Sequence, residues 1–111
     1  MARKKIQGPP RAFVEFSGRF PKLARAWDLL GEGGSEGPLD PKTCRLIKLG
    51  ISIATRSEGA THSAARKAMA EGASEAEIYQ VVALAASNVG MPSAVAAFTW
   101  IREEISSPKA K

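Results

Sequence analysis

Apolar residues along the chain recur at the period of an α-helix, in stretches separated by Gly and Pro. In PKLARAWDLLGEG, four apolar residues fall at positions i, i+3, i+4 and i+7 and so share one helix face. Pro21 is typical of a first helical turn, and Gly31 predicts the end of that helix and the start of a loop. No segment shows the period-2 alternation of a strand. The pattern predicts an all-α fold, a helical bundle of about five or six helices joined by short connections.

Helix-start signals sharpen this prediction further along the chain. Asp40 and Pro41 are typical of an N-cap and a first helical position, and the wide apolar arc after them predicts a central helix. Ser74 and Glu77 have the spacing of a capping box, and Gly72 suits the end of the helix before them. These signals predict helices that begin near Asp40 and Ser74.

The length of 111 residues suits one small domain. We expect that domain over residues 10–107, between a flexible basic tail at 1–9 and a flexible tail at 108–111. The net charge of +5 arises in these tails, since five of the 16 basic residues lie there and the other 11 equal the 11 acidic ones. A neutral body without a basic stripe predicts no nucleic-acid partner.

Two further features bear on location. No apolar run approaches the roughly 20 residues of a membrane-spanning helix, so we expect no membrane partner. The basic N-terminus has no apolar segment after it, which argues against a signal peptide. The expected location is cytoplasmic.

Alanine is unusually frequent between Ile51 and Ala97. Small side chains let helices approach closely, but each buries little apolar area. A helical chain of this size with such thin side chains therefore predicts that a partner subunit supplies part of the core, in a homo-oligomer.

The chain contains one cysteine, Cys44, and one histidine, His62. These counts exclude an intramolecular disulfide and a structural zinc site of the usual Cys/His type. We interpret Cys44 as a buried, inert small hydrophobe. We expect no metal and no cofactor.

The histidine lies in SEGATHSAARKAMAEG, where Glu58, His62 and Arg66 follow at intervals of four and share one helix face. Histidine is the side chain best suited to moving a proton near neutral pH, a carboxylate can fix its tautomer, and an arginine can hold a substrate carboxylate. The row predicts His62 as general acid or base, Glu58 as its orienting group and Arg66 as the substrate-binding residue.

The same row has a simpler interpretation. Glu58 in a first helical turn and Arg66 near the helix end both complement the helix dipole. His62 would then belong to a solvated charge ladder, in which each pair contributes only about 0.2–0.5 kcal/mol.

Two segments, LDPKTCRLIKLGISIA and EGATHSAARKAMAEGASEAEIYQVVALAASNVGMPSAVAAF, together resemble the carboxymuconolactone decarboxylase family, which includes the alkylhydroperoxidase D-like proteins. The resemblance runs from about Leu39 to Ile105. It implies an all-helical, alkylhydroperoxidase D-like fold that assembles as trimers or hexamers, with sites near subunit contacts. The decarboxylase members, as the resemblance implies, convert a carboxylated muconolactone to an enol-lactone by proton transfer, without thiol or metal.

The sequence departs from the family at its best-known positions. The Cys-x-x-Cys pair of the redox members falls on Ser57 and Ala60, their histidine on Ala64 and their glutamate on Arg45. Their thiol chemistry is therefore missing, which argues against a thiol peroxidase. The usual histidine of the decarboxylases also falls on Ala64, and His62 lies about 200° around an ideal helix from it.

The preferred hypothesis is a cofactor-free enzyme of the decarboxylase type that acts on a small anionic organic acid or lactone by proton transfer. His62 and Glu58 are its predicted catalytic residues. Arg66 and Arg45 are its predicted substrate-binding residues, although Arg45 also fits an arginine at a helix edge that extends its charge to water. The alternative is a non-catalytic oligomer that binds a small molecule or serves assembly. A His62 in open solvent would weaken both.

Overall fold

The computed structural model describes residues 10–106, so the two predicted tails lie outside the described residues. Within that range the chain forms six α-helices and no strand, which confirms the all-α prediction. The helices are α1 (Arg11–Arg19), α2 (Pro21–Gly34), α3 (Pro41–Ala54), α4 (Glu58–Ala70), α5 (Glu75–Val89) and α6 (Met91–Ser106). No described helix has the length and apolar character needed to cross a bilayer.

The predicted helix boundaries at α3 and α5 are confirmed by their caps. The Asp40 side chain accepts a hydrogen bond from the backbone N–H of Thr43, and the Ser74 side chain and Glu77 form a reciprocal capping box. The hydrogen bonds from Thr43 also hold the pKa of Asp40 below its ordinary value. After α4 the chain turns at Gly72 with φ of +96°, a conformation that glycine adopts without strain.

The predicted end of α2 at Gly31 is wrong, because the helix continues to Gly34. Glycine lowers helix propensity by only about 1 kcal/mol per residue and does not forbid the helix. The hydroxyl of Ser35 donates to the Gly31 carbonyl at 3.1 Å and so satisfies one of the last free acceptors. The backbone N–H groups of Ser35 and Glu36 donate to the carbonyls of Glu32 and Gly33, so the helix ends one turn later than the first glycine.

Helices α3–α6 pack together as the body of the molecule, defined as residues 41–106. Each of these four helices contacts the other three, so the contacts do not single out α3 as the predicted central helix. Five of the ten buried apolar residues are alanines: Leu49, Ile53, Ala65, Ala68, Ala73, Ile78, Val82, Ala94, Ala97 and Ile101. The alanines bring α4 and α6 close to one another, which positions side chains at their shared edge.

Helices α1 and α2 form a separate arm, defined as residues 11–34. They contact each other and no helix of the body, and neither helix buries a residue. Phe16 and Phe20 stack at 5.2 Å between ring centroids, yet about half of each side chain is exposed. The arm therefore has an amphipathic sequence whose apolar side is not covered by any other part of residues 10–106.

Cys44 near the start of α3 was expected to be buried, but it is only half-buried. Its Sγ lies 3.6 Å from the Leu39 carbonyl oxygen. The first turn of α3 ends at the edge of the body, where no helix covers it completely.

Candidate acid-base site at His62

His62 lies in the second turn of α4, at the edge where α4 meets α6. The buried neighbours Thr61 and Ala65 fix the inner side of the helix, and the Thr61 hydroxyl donates to the Ser57 carbonyl at 2.7 Å. This anchoring leaves the imidazole half-buried, with 24% of the side chain exposed. His62 is therefore not in open solvent.

The imidazole has its shortest contact with Glu104 of α6. Nδ1 of His62 lies 2.8 Å from Oε1 of Glu104, whose side chain is only 16% exposed. An ionised carboxylate can only accept, so this short contact favours the tautomer with the proton on Nδ1, in which Nε2 is the free nitrogen of the neutral ring. The contact joins residues 42 positions apart in sequence.

Sequence reasoning missed Glu104, although a signal was present. Glu104 follows the buried residues Ala97 and Ile101 at helical spacing, so it continues the apolar face of α6. A carboxylate on a buried helix face requires a partner. Its neighbour Glu103 points to the exposed side of the same helix, and only this periodicity distinguishes the two.

Arg66 belongs to the same cluster. Its Nη1 lies 3.5 Å from Oε2 of Glu104, and its side chain is 14% exposed. One carboxylate thus contacts the imidazole through one oxygen and the guanidinium through the other. The structure brings Arg66 next to His62, as the spacing predicts, but its observed partner is a carboxylate of this chain.

The Nε2 side of the ring faces two exposed carboxylates. Oε2 of Glu58 lies 3.6 Å from Nε2, and Oε1 of Glu103 lies 3.9 Å from it. Both glutamate side chains are about 60% exposed. The predicted row of Glu58, His62 and Arg66 therefore assembles on one face, with Glu58 beside Nε2 and Glu104 in the position that orients the ring.

Glu58, His62 and Glu103 also offer one set of ligand atoms that could hold a metal ion. One atom from each lies within 4.8 Å of the others. One imidazole and two carboxylates suit a divalent ion such as zinc with an open coordination position. Neighbouring ligands around such an ion lie roughly 3.3 Å apart, given bonds of about 2.0–2.1 Å, so the two exposed glutamates would have to move inward.

Arg45 lies outside this cluster, in a group of cations between α3 and α4. Partial burial lowers the pKa of Lys67 on α4, and the positive charges of Arg45, Lys48 and Arg66 lower it further. Among residues 10–106, no carboxylate lies within 4.0 Å of the charged groups of Arg45, Lys48 or Lys67. Lys67, the member of this group on α4, lies little more than one helical turn from His62.

Comparison with known proteins adds the family and the fold. The sequence model of the carboxymuconolactone decarboxylase family matches residues 21–103, about three quarters of the chain. The fold is similar to the crystal structure of an apo carboxymuconolactone decarboxylase family protein from Legionella pneumophila, with a TM-score of 0.78, 21% identity and 88% of each chain covered. No curated protein matches the sequence significantly.

Proposed function

The chain belongs to the carboxymuconolactone decarboxylase family, and from this premise we propose that it is a cofactor-free enzyme that moves a proton on a small anionic organic acid or lactone. The observation that supports this proposal is the contact between Nδ1 of His62 and Glu104 at 2.8 Å. It leaves Nε2 as the nitrogen that exchanges a proton with a substrate.

The proposed chemistry needs only the imidazole and its neighbours. In a decarboxylation, the bond from carbon to the substrate carboxylate breaks, CO₂ leaves and the electron pair remains on the substrate. The protonated Nε2 of His62 then delivers a proton to that carbon. The carboxylates of Glu104, Glu58 and Glu103 surround the ring on which this proton is carried.

We propose that the substrate carboxylate is held by the cation group rather than by Arg66 alone. Arg45, Lys48 and Lys67 have no described carboxylate partner, whereas Arg66 contacts Glu104. A substrate that spans from Lys67 to His62 would place its anionic end on the cations and its reacting carbon near Nε2. Arg66 then acts by positioning Glu104.

The test is a screen of small carboxylated lactones and related acids, with binding read by thermal shift and turnover by NMR. His62→Gln is expected to lower turnover by about 10²- to 10⁴-fold while binding persists. Arg45→Gln is expected to weaken binding, and Gln80→Ala, exposed on α5, serves as the unaffected control. Turnover that His62→Gln leaves unchanged would contradict the proposal.

The alternative, a non-catalytic oligomer that binds a small molecule, is favoured by one observation. The exposed carboxylates of Glu58 and Glu103 flank Nε2 and repel an anion that approaches the ring. Under this alternative a ligand stabilises the wild type through the cations, and no product forms at any pH. The same screen therefore separates the two functions.

A further inference from the structure

We propose that the arm, residues 11–34, docks on helix α6 of a second copy of this chain. The proposal rests on the uncovered apolar side of the arm and is independent of the proposed function. No arm residue is buried, and no body helix touches α1 or α2. Eight large apolar side chains on the arm are exposed, most of them by about half or more: Phe13, Val14, Phe16, Phe20, Leu23, Trp27, Leu29 and Leu30.

The amount of exposed apolar surface is that of an interface. An aromatic side chain can bury about 150–250 Å², so four half-exposed aromatic residues present roughly 400 Å². The leucines raise this toward the roughly 800 Å² that each partner contributes to a standard interface. A monomer rarely leaves so large an apolar patch in water. A helical hairpin of 24 residues with no core of its own also requires packing for its stability.

The body of the same chain has a surface of matching form. Met91, Val95 and Phe98 are exposed on α6 at positions i, i+4 and i+7. On the arm, Leu23, Trp27 and Leu30 of α2 have the same spacing. Two stripes of equal length, each about 10 Å along its helix, can pack ridge into groove.

The lack of contact between the arm and its own body favours a second copy over the chain's own α6. The segment of residues 35–40 that connects them is exposed, and no body helix contacts α1 or α2. Reciprocal exchange gives each copy one donated arm and one covered α6 stripe, so both apolar surfaces are satisfied in a closed assembly. The predicted trimer or hexamer is one form of such closure, and a dimer is another. A docked arm would lie along the helix that also supplies Glu104.

Two single-surface variants of the full chain test the exchange. Trp27→Glu combined with Leu30→Glu disables the arm, and Val95→Glu disables the receiving stripe. Arg25→Glu, on the polar side of α2, is the matched charge control. Masses come from size-exclusion chromatography with light scattering at about 10 µM and 100 µM, and circular dichroism checks that each variant retains its helices.

The wild type and Arg25→Glu are expected to be oligomers, and each disabled variant alone a monomer. An equimolar mixture of the two disabled variants is expected to regain an oligomeric mass, since one has an intact stripe and the other an intact arm. A monomeric wild type at 100 µM would overturn the proposal, whether or not the arm then binds a lipid vesicle or another protein. An unchanged mass in the arm variant, or no recovery in the mixture, would overturn it as well.

Discussion

The two nitrogens of His62 face two different environments, and burial is what separates them. On the Nδ1 side, Glu104 and Arg66 are largely buried and held by packed helices. On the Nε2 side, Glu58 and Glu103 are mostly in water and lie farther from the ring. Charges of the same kind therefore have unequal effects, since a fixed, desolvated partner interacts strongly and an exposed one is screened. The buried Nδ1 side, called the inner side, fixes the orientation of the ring. The exposed Nε2 side, called the outer side, is free to react.

The largest effect is expected from a substitution of Glu104, the carboxylate on the Nδ1 side of the ring. Glu104→Gln keeps the volume of the side chain but offers an amide that can also donate to Nδ1, so the tautomer is no longer fixed. We expect the turnover rate to fall by about 10- to 100-fold, comparable to the loss of an orienting group behind a reactive histidine. Glu103→Gln is the matched control one residue away, with an expected change below about threefold. Equal losses of turnover in Glu104→Gln and Glu103→Gln would contradict the distinction between the two sides of the ring.

Stability should show the same asymmetry at a smaller size. Glu104→Ala leaves His62 and Arg66 partly buried without their partner, which costs about 1–3 kcal/mol in the free energy of unfolding. Glu103→Ala removes an exposed carboxylate and should change that free energy by at most about 0.5 kcal/mol. Urea denaturation of both variants measures the difference. A larger loss in Glu103→Ala would contradict the assignment of Glu104 as the inner partner.

Metal ions provide a test that acts on the outer side alone. Because the proposed proton transfer uses no metal, dialysis against EDTA should leave turnover within about twofold of its starting value. Added Zn²⁺ should inhibit, since it competes with the proton for Nε2 between Glu58 and Glu103. Glu58→Gln should weaken that inhibition. A loss of activity with EDTA that Zn²⁺ restores would instead make the ion part of the reaction.

The smallest expected effect concerns Lys67, which belongs to the group of cations between α3 and α4. The pKa of Lys67 is lowered in the folded chain, so the unfolded chain binds more protons in the alkaline range below the ordinary value of 10.5. The contribution of Lys67 to the free energy of unfolding should therefore rise with pH across that range. Lys67→Met removes this slope, whereas Lys22→Met on the exposed arm should retain it. Urea midpoints at pH 8, 9 and 10 measure the slope.

Local sequence signals predicted the helices well because their causes are local. The Asp40 cap and the Ser74–Glu77 capping box depend on residues three apart, and both are confirmed. The end of α2 was misplaced because Gly31 weakens a helix without ending it. Glycine marks a helix end reliably only where the backbone needs a positive φ, as at Gly72.

The candidate site was only half visible in the sequence. Glu58, His62 and Arg66 share a helix, so their spacing alone places them on one face. Glu104 reaches His62 only through the packing of α4 on α6, which no local pattern encodes. The open apolar side of the arm was invisible for the same reason, since an amphipathic pattern predicts a covered face without saying which chain covers it.

The central claim is that Glu104 holds the proton on Nδ1 and leaves Nε2 free, and the single histidine of the chain makes it directly measurable. Nitrogen-15 NMR of the imidazole, recorded at a pH at which the ring is neutral, reports which nitrogen carries the proton. We predict a protonated Nδ1 in the wild type and in Glu58→Gln, and loss of that preference in Glu104→Ala. A proton on Nε2 in the wild type, or a preference that survives Glu104→Ala, would contradict the claim.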